Sequence, residues 1–142
     1  MPAHKVKLEI DQGATFDKTF TWMTGTDKAN AAPVDLTGCK ARAQFREELE
    51  SDVVLIGLST ENGRIVLGGV EGTIRLFISA ADTAAMNWQS AVYDLEIEFP
   101  NGTVIRRMAG SVVVSPEVTR GLVIDVPGRF VDDGAGVPLL GD

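Results

Sequence analysis

The sequence is poor in the residues that carry most protein chemistry. It holds one histidine, His4, and one cysteine, Cys39. A single histidine near the N-terminus excludes any site needing two imidazole ligands and leaves histidine-based proton transfer without support. A single cysteine cannot close an internal disulfide, which points to folding in a reducing compartment. No apolar run approaches the ~18 residues of a membrane span. Met1-Pro2-Ala3-His4-Lys5 runs straight into an alternating pattern, without the apolar stretch of a secretion signal. Positive charge is scarce too: 13 Lys and Arg stand against 20 Asp and Glu, a net charge of −7. Neutralising phosphates needs clustered Lys and Arg, so a general nucleic-acid binder is excluded. Six Phe, two Trp and one Tyr leave little material for a stacking platform.

What is present is ordinary globular material, 44% hydrophobic and 23% charged over 142 residues. That length suits one domain, which can bury about two-thirds of its extended surface without a disulfide or metal.

Most of the chain alternates with a period of two, the signature of half-buried strands. Val6, Leu8 and Ile10 oppose Lys5, Lys7, Glu9 and Asp11. Phe16, Phe20 and Trp22 oppose Asp17, Thr19 and Thr21, with Lys18 interrupting the apolar side. Cys39, Ala41, Ala43 and Phe45 alternate with Lys40, Arg42, Gln44 and Arg46. A continuous apolar run, Val53 to Leu58, precedes Asn62-Gly63, which predicts a tight hairpin returning through Ile65-Val66-Leu67. Ile74, Leu76 and Ile78 share the face of a further strand. Ser79 is placed to cap one short helix over Ala80–Trp88, with Asp82 in its first turn and Met86 or Trp88 plugging the core.

The final hairpin, 91–99 with 103–115, turns at Asn101-Gly102. A two-residue turn sets Phe99 opposite Val104, Leu95 opposite Met108, Tyr93 opposite Gly110 and Glu96 opposite Arg107. The same register puts Arg106 opposite Ile97 on the apolar face. Either Arg106 snorkels near the sheet end or the register is shifted there. Seven or eight short strands with Gly and Asn turns predict an all-β, antiparallel, immunoglobulin-like β-sandwich with one short helix. A small barrel is the alternative, and the immunoglobulin Cys–Trp–Cys core is missing.

From Pro116 to Asp142 the composition changes, with five glycines and three prolines in 27 residues. We divide the chain into a sandwich domain, 1–119, and a C-terminal extended arm, 120–142. The arm carries Leu122, Val123, Ile124 and Val126, then Phe130 and Val131, then Val137, Leu139 and Leu140. A solvated linker does not need nine large apolar residues. They either complete this chain's own core or dock on another subunit, and the second reading makes them the candidate partner-binding residues.

Candidate catalytic constellations are few. Asp94, Glu96 and Glu98 put three carboxylates on one strand face. They could imitate a Ca²⁺ site or an acid/base pair, but read better as a solvated face with basic cross-strand partners. Asp132-Asp133 before Gly134 lacks the alternating ligands of a calcium loop. Cys39 continues a buried face and has no partner histidine. Trp22 and Trp88 belong to apparent core faces, which leaves a carbohydrate-binding module as a minor alternative. Neither catalysis nor a cofactor is expected.

Three stretches carry a family likeness: Ile10-Asp11-Gln12-Gly13-Ala14-Thr15-Phe16, Phe20-Thr21-Trp22 and Pro33-Val34-Asp35-Leu36-Thr37-Gly38-Cys39-Lys40-Ala41-Arg42. Together they resemble small virion proteins of tailed bacteriophages. The layout is similar to the N-terminal domain of upper-baseplate, fibre-anchoring proteins. Gly72-Thr73-Ile74-Arg75-Leu76, Ser79-Ala80-Ala81-Asp82-Thr83 and Tyr93-Asp94-Leu95-Glu96 extend the likeness over residues 8–119. The resemblance implies a non-enzymatic adaptor in a virion, made in the host cytoplasm. Its partners would be other virion proteins (fibre, baseplate, collar or head–tail subunits), in multiple symmetric copies. A fibre-anchoring protein would continue into a coiled coil where this sequence has its apolar arm, which keeps a capsid-decoration or head–tail-joint role open.

Overall fold

The computed structural model describes residues 3–25 and 29–118. Strands form where the sequence alternates: β1 (His4–Lys5), β2 (Leu8–Asp11), β3 (Phe16–Thr21), β4 (Met23–Thr24), β5 (Ala32–Pro33), β6 (Lys40–Arg46), β7 (Ile56–Ser59), β8 (Ile65–Leu67), β9 (Thr73–Ile78), β10 (Ser90–Glu98) and β11 (Val104–Ser115). Among the described residues a single α-helix, α1 (Ala80–Ala84), lies between β9 and β10.

The larger sheet runs β1–β11–β10–β6–β7, with β2 also on β11. The smaller runs β3–β9–β8, and β4–β5 is a separate ribbon. All pairings are antiparallel except those of β1 and β2, which run parallel to β11. Leu8, Ile10, Phe45, Leu95, Ile97 and Val112 from the larger sheet join Phe16, Ile65, Ile74, Leu76 and Ile78 from the smaller in one buried cluster. The fold is an all-β sandwich, as the alternation predicts. Fully burying each such side chain stabilises by roughly 1.5–3 kcal/mol, whereas an exposed ion pair contributes ~0–1. The core therefore sets the fold, and the charged outer faces tune it.

β6 shows how the pattern works: Ala41, Ala43 and Phe45 are buried and Lys40, Arg42 and Gln44 exposed. Three details differ from the sequence reading. Asn62-Gly63 does not make a hairpin. β7 pairs with β6 and β8 with β9, so the segment between them carries the chain from one sheet to the other. The Asn62 side chain holds this turn together. Its Oδ1 accepts from the Ser59 and Arg64 amides at 3.0 and 2.9 Å, and its Nδ2 donates to the Gly57 carbonyl at 3.0 Å.

The last hairpin closes through three residues, not two. The Phe99 amide donates to Thr103 O and the Gly102 amide to Phe99 O, both at 2.8 Å, with Gly102 at φ +90°. This is a turn followed by a left-handed glycine, and it slips the register by one. Glu98 faces Val104, Ile97 faces Ile105 and Glu96 faces Arg106. A bulge between Leu95 and Glu96 then leaves Arg107 as the extra residue and restores the expected Leu95–Met108 and Tyr93–Gly110 pairs. The discordance at Arg106 came from this shift, not from snorkelling.

The helix ends at Ala84, short of Trp88. Ser79 caps it, its Oγ accepting from the Asp82 amide at 3.2 Å. At the other end Gln12 Nε2 donates to Met86 O at 2.8 Å and reaches Ala84 O at 3.4 Å, taking up carbonyls that a longer helix would have used. Met86 is buried and Trp88 packs against the core rim.

Candidate functional site

The nine predicted partner-binding residues, Leu122, Val123, Ile124, Val126, Phe130, Val131, Val137, Leu139 and Leu140, lie outside the described residues, as does Asp132-Asp133. The other sequence candidates can be placed. On the outer face of the larger sheet, Arg42 pairs with Glu98 at 3.0 Å and Glu96 at 3.3 Å, and Arg106 Nε pairs with Asp94 at 3.3 Å. The three carboxylates thus face guanidinium groups on neighbouring strands. Among the described residues no group of three or more His, Cys, Asp or Glu could hold a metal ion. Cys39 is half-buried, and burial, helped by Asp35, raises its thiol pKa, the wrong direction for a nucleophile.

The two tryptophans do not form a platform. Trp22 meets Phe99 edge-on, and Trp88 meets Phe45 edge-on. The Pro33–Gly38 stretch is structural. Asp35 Oδ1 accepts from the Thr37 amide and hydroxyl at 2.9 and 2.6 Å, and Leu36 is buried. Gln12 and Gly13 are structural as well. The Gly13 amide donates to Thr83 Oγ1 at 3.0 Å, and Gln12 Oε1 accepts from the Glu117 amide at 2.8 Å.

Several concave surfaces lie among the described residues, and a tryptophan lines two of the larger ones. One is a groove of about 620 Å³ between the segment entering β7 and the segment leaving α1. Val53 (65% exposed) and Val54 (39%) line it opposite Trp88. The Arg64–Asp82 ion pair, at 2.8 Å, also lines this groove. A smaller hollow shares Met86, Asn87 and Trp88 with the groove and continues to Gln12 and Pro116. The polypeptide leaves the sandwich here, reaching Val118 at 91% exposed. The apolar groove therefore adjoins the hollow at Pro116, close in sequence to the apolar arm.

The second is a cleft of about 350 Å³ between β1 of the larger sheet and the end of β3 of the smaller. Val6, Phe20, Trp22 and Met23 give it apolar walls, His4 also lines it, and Arg107 supplies its positive charge. The Arg107 guanidinium lies over the Trp22 ring, 4.7 Å from its centroid. Sequence reasoning missed Arg107 as a site residue. The available signal was the Arg106-Arg107 doublet, which no simple alternation can place.

No family model matches the chain, and no curated protein matches it.

Proposed function

We propose that this chain is a non-enzymatic structural protein of a bacteriophage virion. It acts as an adaptor attaching a tail, baseplate or collar component through its sandwich surface and C-terminal arm. The resemblance over residues 8–119 supports the class. The observation that carries the adaptor reading is the apolar groove continuous with the hollow where the chain departs toward the arm. An exposed apolar concavity beside an apolar-rich segment suits docking between subunits. The strand order supports an immunoglobulin-like reading of the sandwich. The first strand lies parallel to the last, β11–β10–β6–β7 forms one sheet and β3–β9–β8 the other.

Mass spectrometry of purified particles tests the proposal. The expected result is a fixed stoichiometry with tail components, and gold labelling at the tail. Label on the head would move the protein to the decoration or head–tail-joint role. Absence from particles that are otherwise complete would overturn the reading. Replacing Leu122 and Ile124 together with Asp should abolish incorporation while leaving the circular dichroism spectrum of the purified protein unchanged.

A further inference from the structure

The bulge in β11 gives two consecutive arginines opposite fates. Arg106 turns outward to Asp94. Arg107 turns toward the cleft and rests on Trp22. Every other described arginine has an oxygen acceptor. Arg42 has Glu96 and Glu98, Arg46 has Ser51 O and Gln44 Oε1, Arg64 has Asp82, and Arg75 has both oxygens of Asp17. Among the described residues Arg107 has none, although acidic residues outnumber basic ones 20 to 13. Burial lowers its pKa, the direction expected of a cation partly withdrawn from water without a counter-ion. A partly desolvated guanidinium is an unfavourable arrangement until a carboxylate reaches it. The apolar walls around it select a carboxylate carried between apolar side chains.

One segment of this chain has that form. Leu122-Val123-Ile124-Asp125-Val126 is an apolar run with a single carboxylate. We propose that the cleft beneath Arg107 receives Asp125 and its apolar neighbours from the arm of a second copy of this chain. The chain's path favours a second copy over the same one. From Arg107, near the start of β11, to Ser115 at its end is about 25 Å of strand, and the arm follows Ser115 in sequence. Ten residues link Ser115 to Asp125. They span at most ~35 Å fully extended, so reaching the chain's own cleft takes about 25 Å of that to retrace β11 and leaves about 10 Å for the reversal and the step to the cleft. A neighbour placed head to tail is reached without reversal. Such contacts are heterologous and close into rings when the rotation allows. This inference rests on the adaptor reading above, to which it adds the partner and the contact.

The test is sedimentation equilibrium of the full chain over a concentration series, with tryptophan emission recorded alongside. Four proteins are compared: wild type, Arg107→Glu, Asp125→Lys and the double variant. Wild type should self-associate, with its emission changing as it does. Each single variant should weaken association by about tenfold or more, and the double variant should recover it. Mixing the two single variants should also restore a complex, because the arm carrying Asp125→Lys meets the cleft carrying Arg107→Glu with opposite charges again in contact. Asp125→Lys changes no residue of the sandwich domain, so its behaviour is informative even if Arg107→Glu folds poorly. Association that survives both single variants overturns the proposal, as does a wild type monomeric at all concentrations. A monomer whose emission still responds to Asp125→Lys would place the arm in its own cleft and overturn the second-copy assignment. Incorporation into particles is measured separately, so loss of this contact with retained incorporation would sink the cleft proposal and leave the adaptor reading standing.

Discussion

Thr83 is the one fully buried polar side chain among the described residues, and its replacement gives a sharp test of how the sandwich end is held. Its hydroxyl accepts from the Gly13 amide at 3.0 Å and lies within donating distance of Ala14 O (2.8 Å) and Ala80 O (3.1 Å). These bonds tie α1 to the crossover that carries the chain from β2 to β3. Thr83→Val keeps the shape and removes the hydroxyl, so the half-buried Gly13 amide and the Ala14 carbonyl each lose a partner beside a fully buried side chain. Leaving buried polar groups unsatisfied costs about 1–3 kcal/mol. Thr83→Ser keeps the hydroxyl and loses one buried methyl, which costs ~0.8 kcal/mol plus any cavity term. Valine should therefore be more damaging than serine, the reverse of what a purely hydrophobic seam would give. At roughly 3–6 °C per kcal/mol for a domain of this size, valine should lower Tm by about 6–10 °C and serine by roughly half that. Thermal unfolding followed by circular dichroism decides the order. A valine variant as stable as wild type, or more so, would refute the reasoning. Gln12 bonds to Met86 O on the same seam. Gln12→Leu combined with Thr83→Val should therefore be non-additive, as groups sharing one network are.

Three further outcomes follow from the geometry. Tyr93, the only tyrosine, donates from its hydroxyl to Val6 O at 2.7 Å, and burial pushes its pKa from 10.0 up to about 12. Keeping the phenol neutral stabilises the fold fully below pH 10, and that contribution is lost as pH rises through about 12. Phenolate absorbance should therefore appear about two units later in the folded protein than in urea, and matching titrations would refute this. Gly110 passes so close to the Val6 carbonyl that an added Cβ would overlap it. Gly110→Ala should push the first strand off β11, at a cost of about 1–3 kcal/mol, and speed amide exchange at Val6, whose N–H bonds to Ala109 O. An unchanged urea midpoint would show that the strand yields freely. The Arg64 guanidinium beside Asp82 holds that carboxyl below 3.8. Its stabilisation is present above pH 3.8 and is lost as pH falls through the lower folded value. In Asp82→Asn the urea midpoint should fall less steeply over that acid range, and identical slopes would exclude the linkage.

The parts of the fold legible in the sequence were those where one physical rule acted alone. Lys40–Arg46 reads as a half-buried strand because period-two alternation and burial coincide there. Ser79 with Asp82 reads as a helix start because side chain and backbone satisfy each other locally. The misreadings occurred where a side chain redirected the backbone. Asn62 could have served a tight hairpin, but its amide bonds to three nearby main-chain groups and turns the chain out of its sheet. Nothing local distinguishes those outcomes, because the choice rests on β8 finding β9. Pro100-Asn101-Gly102 fits a two-residue or a three-residue loop, and only the Arg106-Arg107 doublet betrayed the slip. The groove beside Trp88 and the cleft beneath Arg107 were not legible, since each is built by segments far apart in sequence. The arm's apolar clusters were legible as composition, and composition does not say what they touch.

The ways in which the sandwich guards its edges narrow where a partner can bind. The free side of β7 is partly occupied from within: Asn62 and Arg64 both donate to Gly57 O, and Asn62 accepts from the Ser59 amide. The free edge of β3 carries Lys18 between Phe16 and Phe20, a charge on the core-facing side that an added strand would have to desolvate. The outer face of the larger sheet is laced by Arg42 and Arg106 pairs. Main-chain pairing with another subunit is thus opposed at β7 and β3, and broad apolar contact is opposed on that sheet face. The groove at Val53–Val54 and the cleft at Arg107 lie apart from these protected surfaces, each bounded by a tryptophan packed edge-on against a phenylalanine. Under the adaptor proposal, such a surface suits contact through inserted arms better than shared sheets. That arrangement matches a domain followed by 23 residues in which apolar clusters alternate with glycine, proline and acidic positions.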